Sequence, residues 1–272
     1  MRISINHQTF AEAVPRLIHQ TYSTLPLPSE LAKNTHHLRQ LNPGWKHLLW
    51  DDAKIASFIF EHYGQQILEI FNRINPDYGA ARADLFRYLL LYRLGGVYLD
   101  IKSAADLPLD NVIRPDDTFI LSQWRNGVGE AYEGWGIHED LRDIPRGEYQ
   151  QWHIIAGPGH PFLRAVIERV LYNLKNYRYD KAGSGRIGVL RLTGPIAYTK
   201  AIHPLISAHP HRIVTDQSEL GFRYSIFERD GRQYHHQAFK RHYAAMTTPI
   251  VKRPFPHNLI NHILYKARSY SR

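Results

Sequence analysis

The run Gly95-Gly96-Val97-Tyr98-Leu99-Asp100-Ile101-Lys102 limits what this chain can fold into more than any other stretch. Two glycines follow a long apolar pattern. Glycine ends a helix readily because it enters the left-handed region without a Cβ penalty. Val97-Tyr98-Leu99 then reads as a short strand without polar alternation, which calls for a sheet covered on both faces. An aspartate arrives at the strand's carboxyl end, where open α/β sheets hold their ligands. The run predicts a helix and strand inside a layered α/β domain, with Asp100 delivered to a site and Lys102 two residues beyond.

The flanking sequence supplies the rest of such a domain. Residues 14–22 read as a first strand ending in polar residues, and residues 45–50 as a second. Between them Ser29 reads as the N-cap of a helix to about residue 40. Two helical patterns cover residues 53–74, and Asn75-Pro76-Asp77 reads as the cap of a helix over 78–94. Ala81, Leu85, Leu89 and Tyr92 keep its core-facing period, while Asp84 and Arg87, three apart, share a neighbouring face. Further strands are expected at 118–123, 152–156, 212–215 and 224–227, and helices at 162–176 and from Thr193-Gly194-Pro195 to about 206. The Gly- and acid-rich stretch 126–147, with Trp135 inside it, is long enough for a binding loop. Without repeats or an evident boundary, residues 1–272 read as one domain.

Composition narrows the class. With no cysteine, neither disulfides nor thiolate metal sites are available. The first residues lack the apolar core of a signal peptide, and the apolar run 88–99 is too short to span a membrane, so a cytoplasmic protein is expected. The net charge of +9 is concentrated at one end. From Gly231 onward there is no Asp or Glu, but there are Arg232, Lys240, Arg241, Lys252, Arg253, Lys266, Arg268 and Arg272. Residues 256–270 repeat apolar side chains at Leu259, Ile260, Ile263, Leu264 and Ala267, as a basic amphipathic helix does. Such a helix either docks at the inner face of an anionic membrane or packs on the core. No recognition motif accompanies the charge, so nucleic acid is not expected as a partner.

The block Ala81-Arg82-Ala83-Asp84-Leu85-Phe86-Arg87, followed by Gly95-Gly96-Val97-Tyr98-Leu99-Asp100, resembles the donor-site block of glycosyltransferase family 32 and of the glucosylating-toxin type. Pro15-Arg16-Leu17-Ile18-His19-Gln20, Trp50-Asp51-Asp52, Gly159-His160-Pro161-Phe162 and Thr193-Gly194-Pro195 resemble further landmarks of that family in the same order. The resemblance extends over residues 15–246. It implies a GT-A-type, Rossmann-like mixed sheet flanked by helices. It also implies a retaining hexosyltransferase using a UDP- or GDP-sugar. The acceptor would be a cell-surface polysaccharide, as in capsule or lipopolysaccharide, or a lipid-linked glycan. Within that resemblance Asp84 and Arg87 hold the donor sugar, and Asp100 is the first Asp of the Asp-x-Asp motif. His19, Gln20, Tyr98, Thr193 and Gly194 belong to the donor-binding wall, and His242 closes over the diphosphate.

Lys102 departs from that pattern, because the family has a second, metal-binding Asp at this position. A protonated lysine repels a divalent cation. Three consequences stay open at the level of sequence. Transfer proceeds without Mn or Mg, with the Lys102 ammonium supplying part of the charge at the diphosphate. A metal is held instead by Asp100 and His242. Or the protein is an inactive scaffold that only binds sugar nucleotide.

Overall fold

A six-stranded mixed sheet organises the described residues, 5–229, 232–233 and 243–252, of the computed structural model. In chain order the elements begin β1 (Leu17–Thr21), α1 (Ser29–Leu41), β2 (Lys46–Trp50), α2 (Asp52–Arg73), α3 (Gly79–Leu94) and β3 (Gly96–Leu99). They continue with β4 (Ala104–Ala105), α4 (Leu109–Val112), β5 (Phe119–Ser122), β6 (His153–Ala156), α5 (Pro161–Lys175), α6 (Tyr179–Ala182) and α7 (Gly185–Leu192). α8 (Pro195–Ile202), β7 (Arg212–Val214) and β8 (Phe222–Arg223) follow. The sheet order is β2-β1-β3-β6-β5-β7, with β2, β1 and β3 parallel and β6 antiparallel to both β3 and β5. The α/β class and helix-flanked mixed sheet expected from the sequence are what the chain forms. No described helix is long and apolar enough to cross a membrane.

Both sheet faces are covered, which explains the unbroken apolar strands. Tyr98, Phe119, Leu121, Ile154 and Ala156 join the core made with α2, α3, α5, α7 and α8. The alternate positions Val97, Leu99, Ile120 and Ile155 join a second core with Leu38 of α1 and Leu109 and Val112 of α4. Each strand therefore contributes to a hydrophobic layer on either side.

The strand order places the functional crevice. The chain goes from β1 to β2 on one side, then returns to set β3 on the other side of β1. The connections leave the carboxyl ends of β1 and β3 in opposite directions, which opens a crevice there. Thr21, at the end of β1, and Tyr98 of β3 meet across it, with their hydroxyl oxygens 2.9 Å apart.

Some local expectations are corrected. Pro28 rather than Ser29 is the N-cap residue of α1, and Tyr78 rather than the Asn75-Pro76-Asp77 turn caps α3. Asn75 Oδ1 accepts from the Asp77 amide and closes the turn before the helix instead. The two helical patterns over 53–74 are present as expected and meet at a kink at Gly64, whose φ of 76° is left-handed. The strand expected at 224–227 falls on Phe222–Arg223, because Ala104 and Ala105 supply its partner. The α8 helix ends at Ile202 and continues as a tighter 3₁₀ segment, His203–Ala208. The basic segment 256–270 lies outside the described residues.

Gly95, with φ of +65°, ends α3, and a Cβ there would stand 2.5 Å from Pro158 Cδ and 2.9 Å from Ala156 O. Gly129 shares the left-handed conformation, at φ of +77°, but has open space around it. Urea unfolding is therefore expected to separate the two substitutions. Gly129→Ala carries only the backbone cost, about 1 kcal/mol, whereas Gly95→Ala adds the clash and loses more than about 2 kcal/mol. Equal losses would mean that contact with β6 does not set the end of α3.

Candidate active site

α3 lies between the sheet and α2, α5 and α7, so it is buried nearly all round, polar residues included. Asp84 and Arg87 are each 3% exposed, which is tolerable only because they are paired. Arg87 Nη2 stands 3.3 Å from Asp84 Oδ1 and 3.0 Å from Asp100 Oδ1. Its Nη1 donates to the Gln151 carbonyl at 2.6 Å, and the guanidinium lies 4.4 Å from the centre of the Tyr98 ring. Burial alone would lower the Arg87 pKa, but Tyr98, Asp100 and Asp84 outweigh it, and the guanidinium is held above its ordinary value.

Asp84 is enclosed by donors. Gln151 Nε2 donates to Oδ1 at 3.1 Å and Thr193 Oγ1 to Oδ2 at 2.9 Å. Burial pushes this carboxyl above its ordinary value, and Arg87, Thr193 and Gln151 offset only part of the rise. Donors at both oxygens fit the ionised form.

Asp100 sits one residue past β3, where its amide donates to the Trp152 carbonyl at 2.9 Å. Its side chain is 23% exposed, so it is the member of the cluster that meets solvent. Lys102 Nζ lies 3.9 Å from Asp100 Oδ2. The ammonium donates to the Tyr224 carbonyl at 3.2 Å and rests 3.3 Å from the centre of the Tyr224 ring. Burial pushes Lys102 down to about 8, with Asp100 holding it up and Arg87 adding to the fall.

A cavity of about 780 Å³ opens on this cluster, within the roughly 300–1,000 Å³ of ligand pockets. Asp84, Arg87, Tyr98, Asp100, Lys102 and Gly194 line it, as do Thr21 at the end of β1 and Asp52 at the start of α2. Thr193 is fully buried behind Asp84. His19 and Gln20 do not line the cavity. His19 Nε2 donates to the Gly95 carbonyl at 3.0 Å while Nδ1 accepts from Trp50 Nε1, and burial takes the ring down to about 4. Gln20 Nε2 donates to the Asp100 carbonyl at 3.4 Å, and its Oε1 accepts from His47 at 3.0 Å. Both residues act inside the fold, one fixing the glycine turn and the other the backbone of Asp100. His242 lies outside the described residues.

Gln151 is the member that sequence reasoning missed. β6 is antiparallel to β3, with His153 opposite Leu99. Residues just before His153 therefore flank Asp100. The polar run Glu148-Tyr149-Gln150-Gln151 ahead of an apolar strand is the signal that marks them.

Among the described residues, the surroundings of Asp100 are cationic. One oxygen of Asp100 faces Arg87 and the other faces Lys102. No group of three or more His, Cys, Asp or Glu able to hold a metal ion occurs among the described residues.

Residues 28–120 match the family model described as the glycosyltransferase sugar-binding region containing the DXD motif. The match takes in α3, β3 and Asp100, and covers about a third of the chain. Asp100-Ile101-Lys102 stands in this sugar-binding region with a lysine where a second aspartate completes a DXD motif. Over 173 residues the chain is 31% identical to inositol phosphoceramide mannosyltransferase 1 of Schizosaccharomyces pombe, covering 62% of this chain and 46% of that protein. It is 29% identical over 200 residues to the initiation-specific alpha-1,6-mannosyltransferase of the same yeast, covering 70% and 48%. The chain thus spans about half the length of the curated relatives it matches. Among solved structures, the PaToxG glycosyltransferase aligns with a TM-score of 0.47 at 16% identity, over 72% of this chain and 71% of that one.

The sugar-binding region carries its own stability test. Arg87→Leu leaves Asp84 buried without its cation and is expected to cost about 3–5 kcal/mol in urea unfolding at pH 7. Adding Asp84→Asn should restore more than half of the loss. A double variant no more stable than Arg87→Leu would show that the ion pair is not what burial of Asp84 depends on.

Proposed function

We propose that this chain is a retaining glycosyltransferase of the GT-A type that needs no divalent metal. It would move a hexose from a nucleoside-diphosphate sugar to a glycan or lipid-linked glycan. The observation that carries this reading is the cation pair at the β3 terminus. Arg87 and Lys102 flank the two oxygens of Asp100, at the mouth of a crevice between β1 and β3.

The chemistry asks for such an arrangement. The bond from the sugar's C1 to the β-phosphate oxygen breaks, and negative charge builds on the departing diphosphate. The acceptor oxygen bonds to C1 on the same face, and its proton passes to the phosphate oxygen that leaves. Fixed cations near that oxygen stabilise the transition state more than the ground state. Lys102 would supply this charge, with Asp84 and Asp100 orienting the sugar hydroxyls and Arg87 holding both carboxylates in place. Tyr98 and Gly194 would bound the donor, and His242 would approach the diphosphate from the basic C-terminal stretch. The relatives named above are mannosyltransferases, which supports mannose as the first sugar to test. The Asp- and Glu-free residues 231–272 support attachment to an anionic membrane surface, where a lipid-linked acceptor would be found.

The same lysine favours a second reading, a scaffold that binds sugar nucleotide without turning it over. Thermal shift with UDP-glucose and GDP-mannose, followed by a turnover assay with and without EDTA, separates the two. Turnover unchanged by EDTA is expected, and Lys102→Ala should lower it by about 100-fold or more. Loss of turnover in EDTA, or full activity of Lys102→Ala, would overturn the metal-free reading. A nucleotide-sugar shift without turnover by the unaltered chain would favour the scaffold.

The burial of Lys102 also sets a pH dependence. Below about 8 the ammonium is charged, and above it the charge is lost. The kcat/KM of the free protein should therefore fall as pH rises through about 8. Lys102→Arg, which stays charged, should remove that limb. A flat profile from pH 7 to 9 in the unaltered protein would detach Lys102 from the rate.

A further inference from the structure

The loop over 126–147 brings a second group of polar and aromatic side chains into the same cavity. The loop is pinned at its base. Asn126 Nδ2 donates to the carbonyls of Trp135 at 2.6 Å and Arg146 at 3.0 Å. The Glu148 amide donates to the Gly136 carbonyl at 3.0 Å. Gly147 makes this approach possible, since a Cβ there would stand 2.2 Å from Gly136 O. His138 is thereby laid onto Glu148, and Trp135 onto the Trp124 ring.

Glu148 is shared between two donors. Its Oε1 accepts from Trp124 Nε1 at 2.8 Å and its Oε2 from His138 Nε2 at 2.8 Å. The carboxylate thus engages the Nε2 side of the imidazole and turns Nδ1 away from itself. Nδ1 has no hydrogen-bond partner among the described residues. The His138 and Glu148 side chains are only 15% and 10% exposed, yet both line the cavity. Beside them the Trp135 ring is 37% exposed. It packs 5.2 Å from the Trp124 ring and 5.9 Å from Tyr224, the ring that carries the Lys102 ammonium.

These features describe a ligand unlike a diphosphate. The loop contributes Glu133 to the cavity lining and no Lys or Arg, and Glu148 follows directly after it, so this end of the cavity disfavours anions. An exposed indole matches the C–H face of a pyranose ring, and an oriented ring nitrogen matches a hydroxyl, which can both donate and accept. A neutral saccharide presents both at once. The aromatic wall also leads directly from Lys102 to Trp135, so a ring seated there adjoins the cationic end of the cavity.

We infer that Trp135, His138 and Glu148 form the subsite for the acceptor saccharide. Trp135 takes the ring face, His138 Nδ1 hydrogen-bonds a hydroxyl of the acceptor, and Glu148 is the positioning residue that orients the imidazole. This assignment rests on the transferase reading and extends it to the second substrate.

The test uses the full chain and two variants, Trp135→Ala and His138→Gln. Binding of methyl α-mannopyranoside and methyl α-glucopyranoside is read by saturation-transfer NMR, and donor binding by the thermal shift with UDP-glucose and GDP-mannose. The unaltered chain should bind at least one pyranoside, and each variant should weaken that binding at least tenfold while keeping the nucleotide-sugar shift. His138→Gln keeps a side chain of similar reach, so loss of pyranoside binding with an unchanged unfolding temperature cannot come from misfolding. Pyranoside binding within twofold of the unaltered chain in both variants overturns the subsite, as does the absence of pyranoside binding in the unaltered chain. Loss of the nucleotide-sugar shift together with pyranoside binding also overturns it, because the residues would then serve the donor. No shift with either nucleotide sugar in the unaltered chain would instead sink the transferase reading, a result distinct from the other three.

Discussion

The buried Arg87 guanidinium is the constraint on which the rest of the site depends. It links three pieces of chain that are distant in sequence, namely α3 through Asp84, the end of β3 through Asp100, and the segment before β6 through the Gln151 carbonyl. A charge at this depth persists only with partners on every side, and removing one leaves the others uncompensated. Thr193 and Gln151 therefore belong to the same unit, since they complete the shell of Asp84. Tyr88 extends it by donating to the Thr193 carbonyl at 3.0 Å. Such a network contributes less to net stability than to the uniqueness of the geometry.

Much of this was legible in the sequence, for reasons that differ by element. The block from Asp84 to Asp100 could be read because helix period, glycine stop and apolar strand all point the same way. The strands at 118–123 and 152–156 stood out because double-faced burial leaves no polar alternation, and their ends moved by only a residue or so. The helix caps were misplaced, since a cap is decided by the backbone angles of one residue. Pro28 is extended, with ψ of 147°, and that starts α1 one residue earlier than a serine signal suggests.

The polar residues of β1 carry a different lesson. His19 and Gln20 look like ligand contacts because they stand near the end of a strand that leads to the crevice. β1, however, is an interior strand between β2 and β3, so these side chains are fully buried and their polar atoms are used internally. Gln151 escaped notice for the converse reason. Its role depends on β6 pairing antiparallel with β3, and strand order is a long-range property that no local pattern contains. The mixed sheet matters for the same reason. Its parallel half opens the crevice next to Asp100, while its antiparallel half returns the chain through the loop that holds Trp135 and His138.

The seating of Lys102 has one more consequence. A lysine stem has four rotatable bonds, and ordering it costs up to about 2 kcal/mol of rotamer entropy. Here the Tyr224 carbonyl and ring hold the ammonium, while the Ile226 amide donates to the Lys102 carbonyl at 2.8 Å and Ser103 Oγ to the Tyr224 carbonyl at 2.8 Å. The charge is thus moored to a short strap, residues 222–226, which is anchored in turn by the pairing of β8 with β4. Local opening of that strap would release the ammonium from Tyr224, whereas the partners of Arg87, namely Asp84, Asp100 and the Gln151 carbonyl, lie outside the strap. The two cations of the site are consequently held by separate parts of the fold, Lys102 by the strap and Arg87 by α3 and the segment before β6.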